Sequence, residues 1–305
     1  MNSLVGYTGF VGSNIYENGS FDAVYNSKNI EEAYGTKPDL LIYAGLKAEK
    51  YLANNDPGKD LEQVRTAQEN ITKIDPKKLV LISTIDVFKK PVGVDENSVI
   101  DMEGLNAYGH NRYLLEKFVR ERYPDALIIR LPGLFGKNIK KNFIYDFINV
   151  IPAMLKEDKF IELAAKEPLL KENYTRLENG FYKCNISGNR DFLKEIFKKL
   201  GFSALNFTDS RSRYQFYDLS DLWDDIKTAL SAGLKLWHPA TEPVSAGELY
   251  HFLTGEEFVN ELPGVPADYD YKTLYCKEFG GKDGYIRTAD EVKQGIKKFV
   301  EGQDR

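Results

Sequence analysis

Residues 5–16 read Val5-Gly6-Tyr7-Thr8-Gly9-Phe10-Val11-Gly12-Ser13-Asn14-Ile15-Tyr16. A short apolar start ends at Val5, three glycines follow at three-residue intervals, and a helix-compatible run takes over. A strand, a tight glycine turn and a helix N-terminus together make a phosphate-binding device. Gly6 permits the sharp turn, Gly9 lets the backbone approach a pyrophosphate, and Gly12 lets the helix pack near the strand. The unpaired N–H groups at the helix start face the anion. Glycines also serve turns that bind nothing, so the reading draws its weight from where the pattern sits, between two elements of the right kind.

Outward from this turn, the chain alternates. Phe21 to Asn26 reads as a second strand, and Asp39 to Gly45 as an apolar run stopped by small residues. Such a run predicts a strand buried on both faces of a parallel sheet. Asp60 to Ile74 carries apolar residues at helical spacing until Asp75-Pro76 breaks it, and Lys78 to Ser83 is another buried strand. A helix is predicted over Leu105–Tyr123, stopped by Pro124, and a strand over Ala126–Arg130. The pattern predicts an α/β fold with a doubly wound parallel sheet. After Gly136 the alternation weakens. Helices are expected at Phe143–Leu155, Asp191–Leu200, Leu219–Leu230, Ala246–Leu253 and Ala289–Val300, with a late strand at Leu234–Trp237. The expected organisation is a dinucleotide-binding domain over 1–142, rejoined by a returning segment near 214–240. A smaller, interleaved α+β substrate domain takes most of 143–305.

The 305 residues, 42% hydrophobic and 29% charged, have the composition of a soluble globular protein with room for an ample core. A net charge of −5 argues against nucleic-acid binding. No apolar run is long enough to span a bilayer, and no basic-then-apolar leader precedes the first strand, so no membrane partner is expected. Cys184 and Cys276 stand far apart in no redox or metal pattern, which fits a reducing cytoplasm. His110, His238 and His251 form no ligand cluster, and no catalytic metal is expected.

Chemistry is expected where strands end. The strand over 78–83 runs into Ser83-Thr84-Ile85-Asp86, and ligands of open α/β sheets bind beyond the carboxyl ends of strands. On the next helix Tyr108 and Arg112 lie one turn apart. A cation there favours phenolate and lowers a phenol pKa that starts near 10. The plain alternative is an exposed helix pair.

These residues, in this order, resemble the extended short-chain dehydrogenase/reductase superfamily, specifically its sugar-nucleotide-modifying epimerase/dehydratase branch, which has a Rossmann fold. The glycine spacing, Thr84, Tyr108, Arg130 to Gly136 and the later Gln215 to Leu222 carry the likeness. It implies an NAD(P)-dependent reductase or epimerase acting on a nucleotide-linked sugar, and a homodimer. Tyr108 would exchange a proton with the sugar oxygen, Thr84 would hydrogen-bond that oxygen, and Arg112 would replace the family lysine. The implied cofactor contacts are Gly6, Thr8, Gly9, Phe10, Val11, Gly12, Asn26, Ser27, Lys28, Ala44, Gly45, Ser83, Tyr108, Arg112, Pro132 and Gly133.

Alternatives and details remain. A catalytically silent dinucleotide-binding protein and a sugar-nucleotide dehydratase are the rival functions. In dehydratases a carboxylate at the position of Asp86 removes a proton, but the usual preceding acid is Ile85 here, and a turn hydrogen-bonder is the favoured reading of Asp86. The second strand ends in Asn26-Ser27-Lys28 with no carboxylate, which favours NADP(H) over NAD(H). Lys137, Lys140 and Lys141 are candidates for a diphosphate, against a solvated loop. The aromatics between Phe202 and Trp223, with Arg211 and Arg213, serve a base-stacking site or, more simply, a core.

Overall fold

The computed structural model describes residues 1–185 and 189–303. The chain forms two compact units. The first comprises Met1–Ile139, Arg213–Val244 and Asp268–Phe299, and the second Lys140–Ser212, Ser245–Ala267 and the C-terminal residues from Val300.

In the first unit, strands β1 (Asn2–Val5), β2 (Ala23–Tyr25), β3 (Leu40–Tyr43), β4 (Leu79–Thr84) and β5 (Leu127–Leu131) join Leu236–Trp237 in a six-stranded sheet. Every pairing is parallel, in the order Leu236–Trp237, β5, β4, β3, β1, β2. Side chains alternate across the pleat. Leu4, Ile42, Val80, Leu127 and Ile129 pack on one face with Ile15, Leu222, Ile226 and Trp237. Val5, Leu41, Tyr43, Leu79, Leu81 and Ile128 pack on the other with Val64, Ile71, Leu115 and Val119. Both faces are covered, which is why these strands read as unbroken apolar runs.

The helices begin where the chemistry of their ends allows. Helix α1 (Phe10–Asn18) follows the glycine turn, and the short α2 (Lys50–Asn55) precedes α3 (Pro57–Ile74). Asp56 caps α3 by accepting the Lys59 N–H, and Asp75 closes it in the left-handed region. In α4 (Ala107–Arg122) the cap is Asn106, which accepts the Gly109 N–H at 3.0 Å. Strand β6 (Gly133–Phe135) leaves the main sheet and pairs in parallel with Phe216–Asp218.

The strand expected at Leu234–Trp237 is present as Leu236–Trp237, beside β5. Beyond the expected return at 214–240, a further segment, Asp268–Phe299, also belongs to the first unit. It is anchored by Phe279, stacked on Trp237 at 4.3 Å, and by Phe299 against Phe135 at 5.8 Å.

In the second unit, the helix expected over Phe143–Leu155 stops at Asn149, and Met154–Lys156 is a strand. It pairs antiparallel with Phe181–Cys184, which pairs antiparallel with Tyr174–Arg176. Helices Glu157–Lys166 and Arg190–Leu200 complete a core around Leu155, Phe160, Leu163, Tyr174 and Phe197. Among the described residues, no helix is long and apolar enough to cross a membrane.

Candidate functional site

The chain reverses its direction of winding at β1, with β2 on one side and β3 on the other, so a crevice is expected beyond the ends of β1 and β3. Gly6 and Ala44 stand there. Gly6 has φ +92°, and a Cβ on it would lie 2.4 Å from the Ala44 oxygen. A Cβ on Gly12 would lie 2.1 Å from the Gly6 oxygen, so both positions require glycine for the chain's own packing. Gly9 differs. Its φ is −80°, and a Cβ there would meet only the Gly6 oxygen, at 3.3 Å. Helix α1 has no side-chain cap and no acid in its first turn. An open place at Gly9, in front of an uncapped helix N-terminus, fits a dinucleotide pyrophosphate.

Thr84 ends β4 and Tyr108 lies in the first turn of α4. The Thr84 side chain lies beside the Tyr108 phenol and slightly favours its ionised form, and Thr84 Oγ1 accepts the Asp86 N–H at 3.2 Å. Gly109 makes this meeting possible: a Cβ there would lie 2.1 Å from the Asp86 oxygen, so α4 rests directly on the turn after β4. The Tyr108 N–H donates to Asn54 Oδ1 at 3.0 Å, which ties α2 to the same place.

Arg112 is shared between Tyr108 and a buried carboxylate. Its guanidinium lies over the Tyr108 ring, 4.2 Å from the centroid, but its amino groups donate to the Asp60 carboxylate and to the Lys47 carbonyl. Asp60 also accepts from Asn111 at 2.9 Å, and both members of the pair are buried. Burial pushes the Tyr108 phenol up to about 12. Arg112 opposes this, while the negative charges of Asp86 and Asp60 support it. The lowered phenol pKa read from the sequence is thereby corrected: desolvation outweighs a cation that Asp60 already neutralises.

Asp86 is more than a local turn group. Its Oδ1 accepts the Tyr269 hydroxyl at 3.0 Å, and its Oδ2 pairs with Lys50 Nζ at 3.0 Å. Ser83, expected to face the cofactor, is instead committed to the frame and donates to Glu116 Oε1 at 2.6 Å. Glu116 in turn holds Arg130, with Nη2 to Oε2 at 2.7 Å, and Arg130 reaches His238 Nε2 at 3.3 Å. Burial and the Arg130 charge lower the His238 pKa to about 3.

Asn26 Oδ1 accepts the Lys28 N–H at 2.8 Å, and Ser27 and Lys28 are exposed beyond β2. Ala44 and Gly45 follow β3, with the Ala44 N–H on the Val5 carbonyl. Pro132 and Gly133 link β5 to β6, and the Gly133 N–H donates to the Gln215 carbonyl at 3.1 Å. Lys137 is paired with Glu17 at 2.7 Å, and Lys140 and Lys141 fall in the second unit. Arg211 is held by Asp209 and Glu261, and Arg213 by Asp268. Phe216 and Tyr217 are buried and Trp223 packs on Phe21, as core residues do.

Sequence reasoning missed Asp60, Gly109, Lys50 and Tyr269. Gly109, inside a helix and next to Tyr108, was the one with a local signal, because an interior helical glycine marks close packing. The others meet only through the fold.

No family model and no curated protein matches the sequence. Solved structures do match in fold. The dTDP-4-dehydrorhamnose reductase of Bacillus anthracis, in complex with NADP, is 17% identical with a TM-score of 0.62, over 99% of this chain and 97% of that one. The UDP-glucose 4-epimerase of Thermotoga maritima, with UDP-glucose, is 16% identical with a TM-score of 0.61, over 99% and 98%. MoeE5, in complex with UDP-glucuronic acid and NAD, is 13% identical with a TM-score of 0.66, over 100% and 99%. The likeness extends over the whole chain, and the fold is a Rossmann-type α/β fold shared with these structures.

Proposed function

We propose that the chain is an NAD(P)-dependent enzyme of the extended short-chain dehydrogenase/reductase kind that reduces a keto group on a nucleotide-linked sugar, with Tyr108 as proton donor. The observation that carries this reading is the placement of Tyr108 beside Thr84 beyond the end of β4, where Gly109 lets α4 rest on the turn. It lies at the edge of the sheet to which the glycine turn and Ala44 also belong. The overall likeness to dTDP-4-dehydrorhamnose reductase and UDP-glucose 4-epimerase supports it.

A bound nicotinamide supplies the hydride. The chain's own residues bind, orient and move the proton. Gly9 and the start of α1 take the pyrophosphate, Thr84 holds the sugar oxygen, and Tyr108 protonates it. A phenol held at about 12 is neutral at pH 7 and is ready to give a proton to a forming alkoxide. A neutral phenol suits the reductive direction. The end of β2, with Asn26, Ser27 and Lys28 in place of a carboxylate, supports NADPH as the reductant.

Single-turnover nicotinamide absorbance with keto-sugar nucleotides tests the reading. Tyr108→Phe is expected to bind both ligands and to lose about 10²-fold or more in rate. Full activity in Tyr108→Phe would refute it. Dinucleotide binding with no turnover of any sugar would make the protein a silent binder.

A further inference from the structure

Two cations stand near Tyr108, and they differ in kind. Arg112 is 4% exposed, with both amino groups engaged, and a guanidinium keeps its proton at any ordinary pH. Lys50, on α2, has a side chain 44% exposed, and its ammonium meets Asp86, whose side chain is 19% exposed. The groups that face Tyr108 come from every element around it. They are Arg112 from its own helix, Asp86 and Thr84 from the end of β4, Asp60 from α3 and Tyr269 from the returning segment. Asp86 is itself faced by Lys50, Tyr269, Tyr108 and the buried Tyr271. Arg112 and Asp60 close on each other. Asp86 and Lys50 form the charged pair of this cluster that solvent reaches.

We propose that Lys50, acting through Asp86, is a positioning residue that controls proton exchange at Tyr108, while Arg112 is the fixed counter-charge of Asp60. The proposal rests on the reading of Tyr108 as the acid/base. A carboxylate beside a phenol opposes loss of the phenol proton, and an ammonium 3.0 Å from that carboxylate cancels part of the opposition. With Lys50 in place, Tyr108 releases its proton more readily. With Lys50 turned to solvent, Asp86 holds the proton on Tyr108. Tyr269 fixes the other carboxylate oxygen, so the lysine's movement changes the charge balance without moving Asp86.

The test needs neither substrate nor cofactor. A ring-fluorinated tyrosine in place of Tyr108, a more acidic phenol, reports its own ionisation by fluorine NMR. Lys50→Met should raise the midpoint by roughly half a pH unit, about threefold less phenolate at a given pH. Asp86→Asn should lower it, Lys50→Arg should leave it at the parent value, and Lys50→Met should have no effect in the Asp86→Asn background. In turnover, Lys50→Met should displace the pH profile of kcat in the same direction. An unmoved midpoint in Lys50→Met, or an equal shift persisting without Asp86, overturns the proposal. Should Tyr108→Phe prove fully active while these midpoints shift as expected, the acid/base reading fails and the electrostatic link from Lys50 to Tyr108 stands.

Discussion

Two successive turns of α4 each bury a partner of an arginine–carboxylate pair, and they serve different ends. In the second of these turns Glu116 is fully buried and holds Arg130 of β5, with Ser83 and His238 attached to the same network. In the earlier of the two Arg112 meets Asp60 of α3, with Asn111 and the Lys47 carbonyl attached. The Glu116 network ties α4 to β4 and β5. The Arg112 network ends against the ring of Tyr108, which stands beside Thr84 at the open end of the sheet. Similar chemistry thus makes a frame in one turn and the wall of a site in the next. The difference lies in what the guanidinium faces, a histidine enclosed in the core or a phenol at the strand ends.

The strongest way to break this comparison is to remove Glu116. Glu116→Ala leaves Arg130 buried without its carboxylate, and loss of one partner of a buried pair costs about 3–5 kcal/mol. Chemical denaturation is expected to show that loss, whereas the fraction that stays folded should keep the parent's single-turnover rate. Tyr108→Phe is the mirror case. Its stability should change little, and its rate should fall by about 10²-fold. If Glu116→Ala were stable but inactive, the division between frame and site would be wrong.

The parts of this arrangement that the sequence disclosed are those with a local signature. The glycine turn after Val5, the apolar runs of β3, β4 and β5, and the helix from Pro57 to Ile74 carry period and punctuation. Thr84 and Tyr108 could be picked out because a strand end and a helix start place them. The sheet of the second unit left no such mark: Met154-Leu155-Lys156 buries only its central residue, too short an alternation to separate from a helix end. The returning segment 268–299 is held by single aromatics such as Tyr271 and Phe279, which have no period. The sign of the Tyr108 shift was illegible for a related reason. It depends on burial and on Asp60, which lies 48 residues before Tyr108 and meets Arg112 only in the folded chain.

Acid sharpens the contrast next. His238 is buried as the neutral ring, accepting from Arg130 at Nε2 and donating from Nδ1 to the Lys272 carbonyl at 3.3 Å. Its folded pKa of about 3 lies below the ordinary 6.5, so the unfolded chain takes up the proton first as the pH falls. The stability this group contributes is complete above about 6.5 and is lost between there and about 3. Thermal unfolding across that window should show the loss. His238→Phe should flatten the part of the slope that His238 causes, with the dinucleotide affinity at neutral pH unchanged.

The smallest expected effect belongs to Arg112→Lys. From sequence alone this change restores the lysine that the resemblance implies, and activity should hold or rise. The structure points the other way. One amino group of Arg112 meets Asp60 and the other the Lys47 carbonyl, and a single ammonium on a flexible stem cannot repeat both contacts. Lysine keeps the charge beside Asp60, so the buried carboxylate is not abandoned, and the cost is that of one hydrogen bond, about 1 kcal/mol. The loss falls on the 47 loop and on the packing above the Tyr108 ring. Arg112→Lys is therefore expected to lower the melting temperature slightly and to reduce the rate by a few-fold, with the Asp60 contact preserved. Arg112→Met, which leaves Asp60 uncompensated, should be far less stable than Arg112→Lys. A gain in both stability and rate for Arg112→Lys would mean that α4 holds the cation at 112 for the cofactor, and that the contacts with Asp60 and Lys47 are incidental.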